Sequence, residues 1–144
     1  MTLTEEIVKV LGGASVLKQR IRNMGELELL VQHGLPYRAL ERVMETFKLG
    51  RVEVERVLLV PSRTLARRKE TTRMRAVESD RLMRLTRVGA RAVKVLGTEE
   101  KAATWLHRSN KALGDRLPLD LLKTDLGTKQ VEDVLGRIEH GVIG

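Results

Sequence analysis

Aliphatic residues near the C-terminus recur at the spacing of an α-helix, and this periodicity restricts the folds open to the chain. Five of them share one helical face: Val131, Val134, Leu135, Ile138 and Val142. Only three of the 144 residues are aromatic, so the core must be built from aliphatic side chains. Helical spacing recurs in earlier segments and strand-like alternation is scarce. The sequence therefore predicts an all-α fold.

Helix-end signals in the last third predict a short helix, a turn and a longer helix. Pro118 suits a first helical position because its missing N–H would have no partner there. Thr128 is predicted to cap the longer helix, with Glu132 and Asp133 in its first turn. Gly141 is predicted to be the residue that follows the end of that helix.

Residues 51–69 predict a helix, a turn and a short basic helix, which is the helix-turn-helix pattern. In the second helix Leu65 faces inward, and most of the other side chains are polar or basic. The short donors at its start suit base edges and phosphates (Ser62, Arg63, Thr64), and the later cations suit phosphates (Arg67, Arg68, Lys69). The alternative interpretation is a solvated basic surface helix.

Charge is distributed unevenly along the chain. Residues 51–75 contain eight Lys or Arg residues and three Asp or Glu residues, whereas residues 100–144 contain seven of each. A basic middle beside a neutral C-terminal third predicts two surfaces with different partners. Cations at positions 84, 87, 91 and 94 form a further stripe, which we interpret as a solvated face rather than a nucleic-acid contact. Trp105 is predicted to lie in the core rather than to act as a partner contact.

No pattern in the sequence indicates catalysis. The three histidines (His33, His107, His140) are scattered, and the absence of cysteine excludes disulfides and thiolate metal sites. Asp120 and Asp125 fit helix capping and turn formation better than a catalytic pair. Phosphate-binding loops and nucleophile elbows are also absent. We therefore predict no enzyme activity, catalytic residue, cofactor, metal or small-molecule substrate.

The sequence predicts a cytoplasmic protein with no membrane partner. It contains no long apolar segment, and it begins with an acidic helix rather than a signal peptide.

The C-terminal motifs closely resemble the Xre/MbcA/ParS toxin-binding domain of bacterial antitoxins. The matching pieces are Trp105-Leu106, Asn110, Ala112-Leu113-Gly114, Pro118–Leu122, Thr124 and the apolar run from Val131 to Gly141. Two loop positions depart from the family pattern, Ser109 where proline is frequent and Asp115 where glycine is usual. Val60–Arg68, Leu11–Gly13 and Gly34–Pro36 resemble the Xre-type helix-turn-helix of antitoxins in RES–Xre toxin–antitoxin pairs.

The resemblance implies an Xre-like helix-turn-helix bundle over residues 1–75 and a small helical toxin-binding domain over residues 76–144. The partners would be a cognate RES-domain toxin that degrades NAD, operator DNA and a second copy of the chain in a homodimer. The chain would block the toxin's active site and repress its own operon. The alternatives are a stand-alone regulator whose C-terminal domain only dimerises, and an antitoxin against another toxin type.

The last residues are the predicted toxin-binding segment. Val142, Ile143 and Gly144 make a slim apolar end with one carboxylate, and such an end suits a cleft shaped for a dinucleotide. Arg137 and His140 are expected to flank the mouth of that cleft. Packing of Val142 against its own helix end, or occlusion by the whole domain, are the alternatives.

Overall fold

Helices account for the regular structure in the computed structural model, which describes residues 1–141. Within that range the structure has two isolated β-bridges and no strand, so the all-α prediction is confirmed. The helices are α1 (Leu3–Val10), α2 (Gly13–Leu17), α3 (Met24–His33), α4 (Tyr37–Phe47), α5 (Arg51–Leu58), α6 (Ser62–Thr71), α7 (Ala76–Leu96), α8 (Glu99–Leu106), α9 (Pro118–Leu121) and α10 (Asp125–Glu139), with a 3₁₀ turn at Lys111–Leu113.

The 21-residue helix α7 is the element against which both halves of the chain pack. It contacts α1, α3, α4 and α5 from the N-terminal half and α8 and α10 from the C-terminal half. Gly89 allows close approach, since a Cβ built there would lie 2.4 Å from Cζ of the fully buried Phe47. One hydrophobic cluster therefore runs through both halves. The predicted domain boundary between residues 75 and 76 coincides with the start of α7 and stays a prediction.

The start of α10 differs from the prediction. Thr124, rather than Thr128, is the N-cap, and its hydroxyl accepts the amide of Gly127 at 3.0 Å. Thr128 is buried within the helix and donates its hydroxyl proton to the Thr124 carbonyl at 2.7 Å. Position 127 requires glycine, because a Cβ there would clash with the Leu121 carbonyl oxygen at 2.1 Å. Glu132 therefore lies well inside α10 rather than in its first turn.

Local chemistry explains two other helix bounds. Helix α7 begins at Ala76, because the Glu78 carboxylate accepts a hydrogen bond from the Arg75 amide at 2.9 Å and caps the helix there. Helix α2 ends at Leu17, since Lys18 adopts a left-handed conformation with φ +61°.

Backbone pairing ties the end of α6 to the start of α4. The Tyr37 amide donates to the Thr72 carbonyl at 2.9 Å, and the Met74 amide donates to the Leu35 carbonyl at 2.8 Å. Gly34 makes this approach possible, because a Cβ there would lie 2.2 Å from the Met74 carbonyl oxygen. The pairing fixes the position of α6.

No helix within residues 1–141 is both long enough and apolar enough to cross a membrane.

Candidate functional site

Helices α5 and α6 form the predicted helix-turn-helix pair. Leu59 ends α5 in a left-handed conformation with φ +55°, and Pro61 is the N-cap of α6. Leu65 is 2% exposed and anchors α6 to the core. From α7, Arg81 donates to the carbonyls of Leu58 and Leu59 at 3.2 and 3.4 Å, which holds the turn against the long helix.

The outward side of α6 presents most of the predicted DNA-contacting residues. Ser62, Arg63, Arg67 and Lys69 are exposed, and Thr64 is partly exposed. None of the three cations in this set forms an ion pair within the described part of the chain. Their charge is therefore available to an external anion.

Arg68 does not belong to that outward surface, so the prediction that it contacts a phosphate is wrong. It is buried and forms a bidentate ion pair with Glu78 of α7, with Nε–Oε1 and Nη2–Oε2 distances of 2.7 and 3.0 Å. Burial alone raises the pKa of Glu78. The hydrogen bonds from Arg68 and the Arg75 amide, with the charges of both arginines, outweigh burial and lower that pKa below its ordinary value.

The hydrogen bond to the Glu78 carboxylate also raises the pKa of Arg68. Leu65 and Arg68 are three residues apart and share the inner side of α6. That spacing is the signal in the sequence that could have excluded Arg68 from the outward set.

The basic stripe of α7 is an interface with α10 rather than the solvated face that we predicted. Arg87 pairs with Glu132 at 2.9 Å and Arg91 pairs with Glu139 at 3.5 Å. Three of the stripe's four cations are matched by carboxylates, and the third pair joins Arg84 to Asp125 at 2.9 Å. The spacing of the carboxylates, seven residues apart at positions 125, 132 and 139, was an overlooked signal for this match.

Three further polar contacts join the C-terminal half to α5 and the end of α4. The His107 ring lies 3.0 Å from the Phe47 carbonyl oxygen through Nε2 and 3.2 Å from the Glu53 carboxylate through Nδ1. Arg56 of α5 forms an ion pair with Asp120 of α9 at 3.0 Å. Sequence reasoning missed these links because their partners are distant in the sequence.

Trp105 is half-buried rather than a core residue, which corrects the prediction. It packs on the edge of the hydrophobic cluster and lines a groove with Leu96 and Arg108. The fully buried positions of α8 are Ala102, Ala103 and Leu106. Trp105 is next to Leu106 on the helix, and it is turned toward solvent by about 100° relative to that residue.

The loop that departs from the family pattern keeps a glycine-like backbone. Asp115 has φ +64°, a conformation that aspartate tolerates better than most residues. Its amide donates to the Asn110 carbonyl at 2.9 Å, and the Asn110 amide donates to the Arg116 carbonyl at 3.1 Å. The substitution therefore leaves the turn closed.

Arg137 and His140 lie together at the end of α10. Both are exposed and line one shallow groove. Gly141 has φ +76° and follows the C-cap residue His140, which confirms its predicted place. The other predicted toxin-binding residues, Val142, Ile143 and Gly144, lie outside the described residues. Across residues 1–141, His, Asp and Glu side chains form no group of three that could hold a metal ion.

Comparison with known proteins matches both halves of the chain. Residues 26–87 match the family described as Antitoxin Xre-like helix-turn-helix domain, and residues 91–141 match the Antitoxin Xre/MbcA/ParS C-terminal toxin-binding domain. A protein named Antitoxin Xre from Photorhabdus laumondii is 31% identical over 119 residues, which are 81% of this chain and 80% of that protein. The chain belongs to the Xre antitoxin family.

Two more relatives named Antitoxin Xre match shorter stretches of this Xre-family chain. The protein from Yersinia enterocolitica is 41% identical over 96 residues, and the alignment covers 65% of each protein, a little under two thirds of the relative's length. The protein from Pseudomonas putida is 39% identical over 89 residues, which are 61% of this chain and 56% of the relative. Because antitoxins of this family are not enzymes, the family confirms the prediction that the chain is not an enzyme.

Proposed function

We propose that this Xre-family chain is an antitoxin that inhibits a RES-domain toxin and represses its own operon. The observation that carries the DNA-binding part of the proposal is the contrast between the chain's two basic surfaces. On α7 most of the basic stripe is neutralised by carboxylates of α10, whereas the cations on the outward side of α6 have no carboxylate partner among the described residues. The first surface belongs to the packing of the C-terminal half, and the second is free to bind DNA.

The DNA-binding part of the proposal places α6 in the major groove. Arg63 stands at the N-terminal end of α6, the end that contacts base edges in helix-turn-helix proteins. Arg67 lies one turn later and suits a phosphate. A homodimer would place two such helices about ten base pairs apart on a pseudo-palindrome.

An exposed apolar pair beside α6 supports the homodimer. Leu59 and Val77 are 53% and 61% exposed, and they line one groove between the helix-turn-helix turn and the start of α7. Burial of this pair against a second copy would remove apolar surface from water. We expect Leu59→Ser to shift the chain toward monomer in light scattering, whereas Leu29→Ser, at a similarly exposed position on α3, should not.

The toxin-binding part of the proposal concerns the end of α10. Arg137 and His140 share one exposed face there, and Val142–Gly144 follow after Gly141 in the sequence. The neutral charge of residues 100–144 is consistent with a partner other than nucleic acid. We propose that this end of the chain covers the active site of a toxin that consumes NAD, as the family resemblance implies.

Co-expression with a RES-domain protein proposed as the cognate toxin tests the toxin-binding proposal. The wild-type chain should co-purify with that protein and preserve cellular NAD. Val142→Ser/Ile143→Ser should keep the fold and DNA binding while NAD falls, and Leu29→Ser is the matched apolar control. Full protection of NAD by the double variant would place the inhibition in the body of the domain. Failure of the wild-type chain to form any complex would reject RES-toxin inhibition and leave the two alternatives, an antitoxin against another toxin type and a stand-alone regulator.

A further inference from the structure

A basic groove lies beside α6, between α2, the start of α4 and the segment that follows α6. Lys18 contributes from the end of α2, Arg38 from α4, and Lys69 and Arg73 from the end of α6 and the residues after it. All four side chains are exposed. Lys18 lies outside the residues that match the helix-turn-helix family, so this groove combines the matched domain with the N-terminal helices.

Three of the four cations in the groove keep an unbalanced charge. Arg38 is neutralised by its own helix, with carboxylate oxygens of Glu41 and Glu45 at 3.6 and 3.3 Å. Lys18 and Lys69 have no carboxylate within ion-pair distance in the described part of the chain. Arg73 donates to the Gly34 carbonyl, which fixes the guanidinium without removing its charge.

The position of Lys69 connects this groove with the DNA-facing side of α6. Lys69 and Arg67 are two residues apart, or about 200° around the helix axis, so they lie on opposite flanks of α6. A helix in the major groove has a phosphate backbone on each side of it. A strand that passes along the Lys69 flank would continue into the groove toward Lys18 and Arg73.

We propose that this groove binds the phosphate backbone of one DNA strand and that Lys18 extends the DNA interface beyond the helix-turn-helix. The inference rests on the proposed DNA-binding function and adds a surface that the family match does not include. Contacts of this kind position the protein on the duplex without reading its sequence. Their loss should therefore reduce the affinity for operator DNA and for scrambled DNA by the same factor.

The test measures the affinity of full-length variants for two duplexes over a range of salt concentrations. One duplex carries a site selected from a random pool by the wild-type chain, and the other carries a scrambled sequence. Lys18→Gln removes the charge and keeps a long side chain at this left-handed position, and Lys69→Gln does the same on α6. Lys123→Gln, at an exposed position in the C-terminal half, is the matched control.

Each lost phosphate contact should reduce the slope of log affinity against log salt by about 0.9. We expect this reduction for Lys18→Gln, about twice the reduction for Lys18→Gln/Lys69→Gln, and no change for Lys123→Gln. If the wild-type chain binds and Arg63→Ala weakens the selected site while Lys18→Gln keeps the wild-type slope, the groove inference is overturned and the proposed function stands. If selection by the wild-type chain enriches no site and the chain does not bind the scrambled duplex, the groove inference and the proposed DNA binding are both overturned.

Discussion

Replacing Glu78 by glutamine tests whether one buried ion pair holds α6 in place. The substitution removes the negative charge opposite Arg68. It keeps a side-chain oxygen that can accept the hydrogen bond from the Arg75 amide, which is 2.9 Å long in the wild-type structure. Both side chains of the pair are 10% exposed, so water screens little of the charge that is left unpaired. The perturbation therefore isolates the charge of Glu78 from its role at the helix start.

The expected cost is about 3 kcal/mol of unfolding free energy. Removal of one partner from a buried ion pair costs roughly 3–5 kcal/mol, and glutamine keeps part of the hydrogen bonding, which favours the lower end of that range. For a chain of this length the melting temperature should fall by about 6–12 °C. Chemical denaturation followed by circular dichroism measures the first quantity directly, and a thermal scan measures the second.

Acid should remove the difference between the two proteins. The lowered pKa of Glu78 stabilises the folded wild-type chain above the ordinary glutamate pKa. This stabilisation is lost as the pH falls through the lowered pKa of Glu78, while Glu78→Gln lacks it throughout. The matched control is Glu70→Gln, an exposed position on α6, which should stay within about 0.5 kcal/mol of wild type. If Glu78→Gln is as stable as this control at neutral pH, the pair does not hold α6.

Three further substitutions test other parts of the account. Gly34→Ala should cost about 2–4 kcal/mol of unfolding free energy in denaturant titrations, because φ of Gly34 is +110° and an added Cβ would lie 2.2 Å from the Met74 carbonyl oxygen. The control is Gly97→Ala, whose Cβ meets no atom within 4 Å and which should cost about 1–2 kcal/mol. Arg63→Ala should lose about 1–3 kcal/mol of operator affinity in fluorescence anisotropy and little affinity for scrambled DNA, and equal losses on both would refute base reading. Trp105→Ala should cost less than the 3–5 kcal/mol typical of a buried tryptophan, and a full loss of that size would contradict its half-buried position.

Local signals predicted the elements that local chemistry determines. Pro118 begins α9, and the basic run from Ser62 forms α6 with Leu65 buried beneath it. In each case the residues that decide the helix end lie within a few positions of it. The same reasoning identified the exposed cations of α6, which are Arg63, Arg67 and Lys69.

Contacts between distant residues account for the errors. Arg68 has the side-chain chemistry of a DNA contact, and the buried partner that holds it inside, Glu78, lies on another helix. The stripe on α7 looked solvated because its carboxylate partners lie about forty to fifty residues later on α10. Thr128 has the chemistry of a cap, but the close approach of Gly127 to Leu121 lets the helix begin earlier. Such pairings depend on tertiary packing that periodicity does not specify.

The most direct test of the central claim compares DNA binding and toxin inhibition in a single variant. Arg63→Ala/Arg67→Ala removes two exposed cations of α6 and leaves α10 unchanged. In cells that co-express a RES-domain toxin that the wild-type chain inhibits, we expect this variant to lose repression of an operator-driven reporter and to preserve NAD at the wild-type level. If NAD falls together with repression while the variant remains folded, the two functions do not reside on separate surfaces.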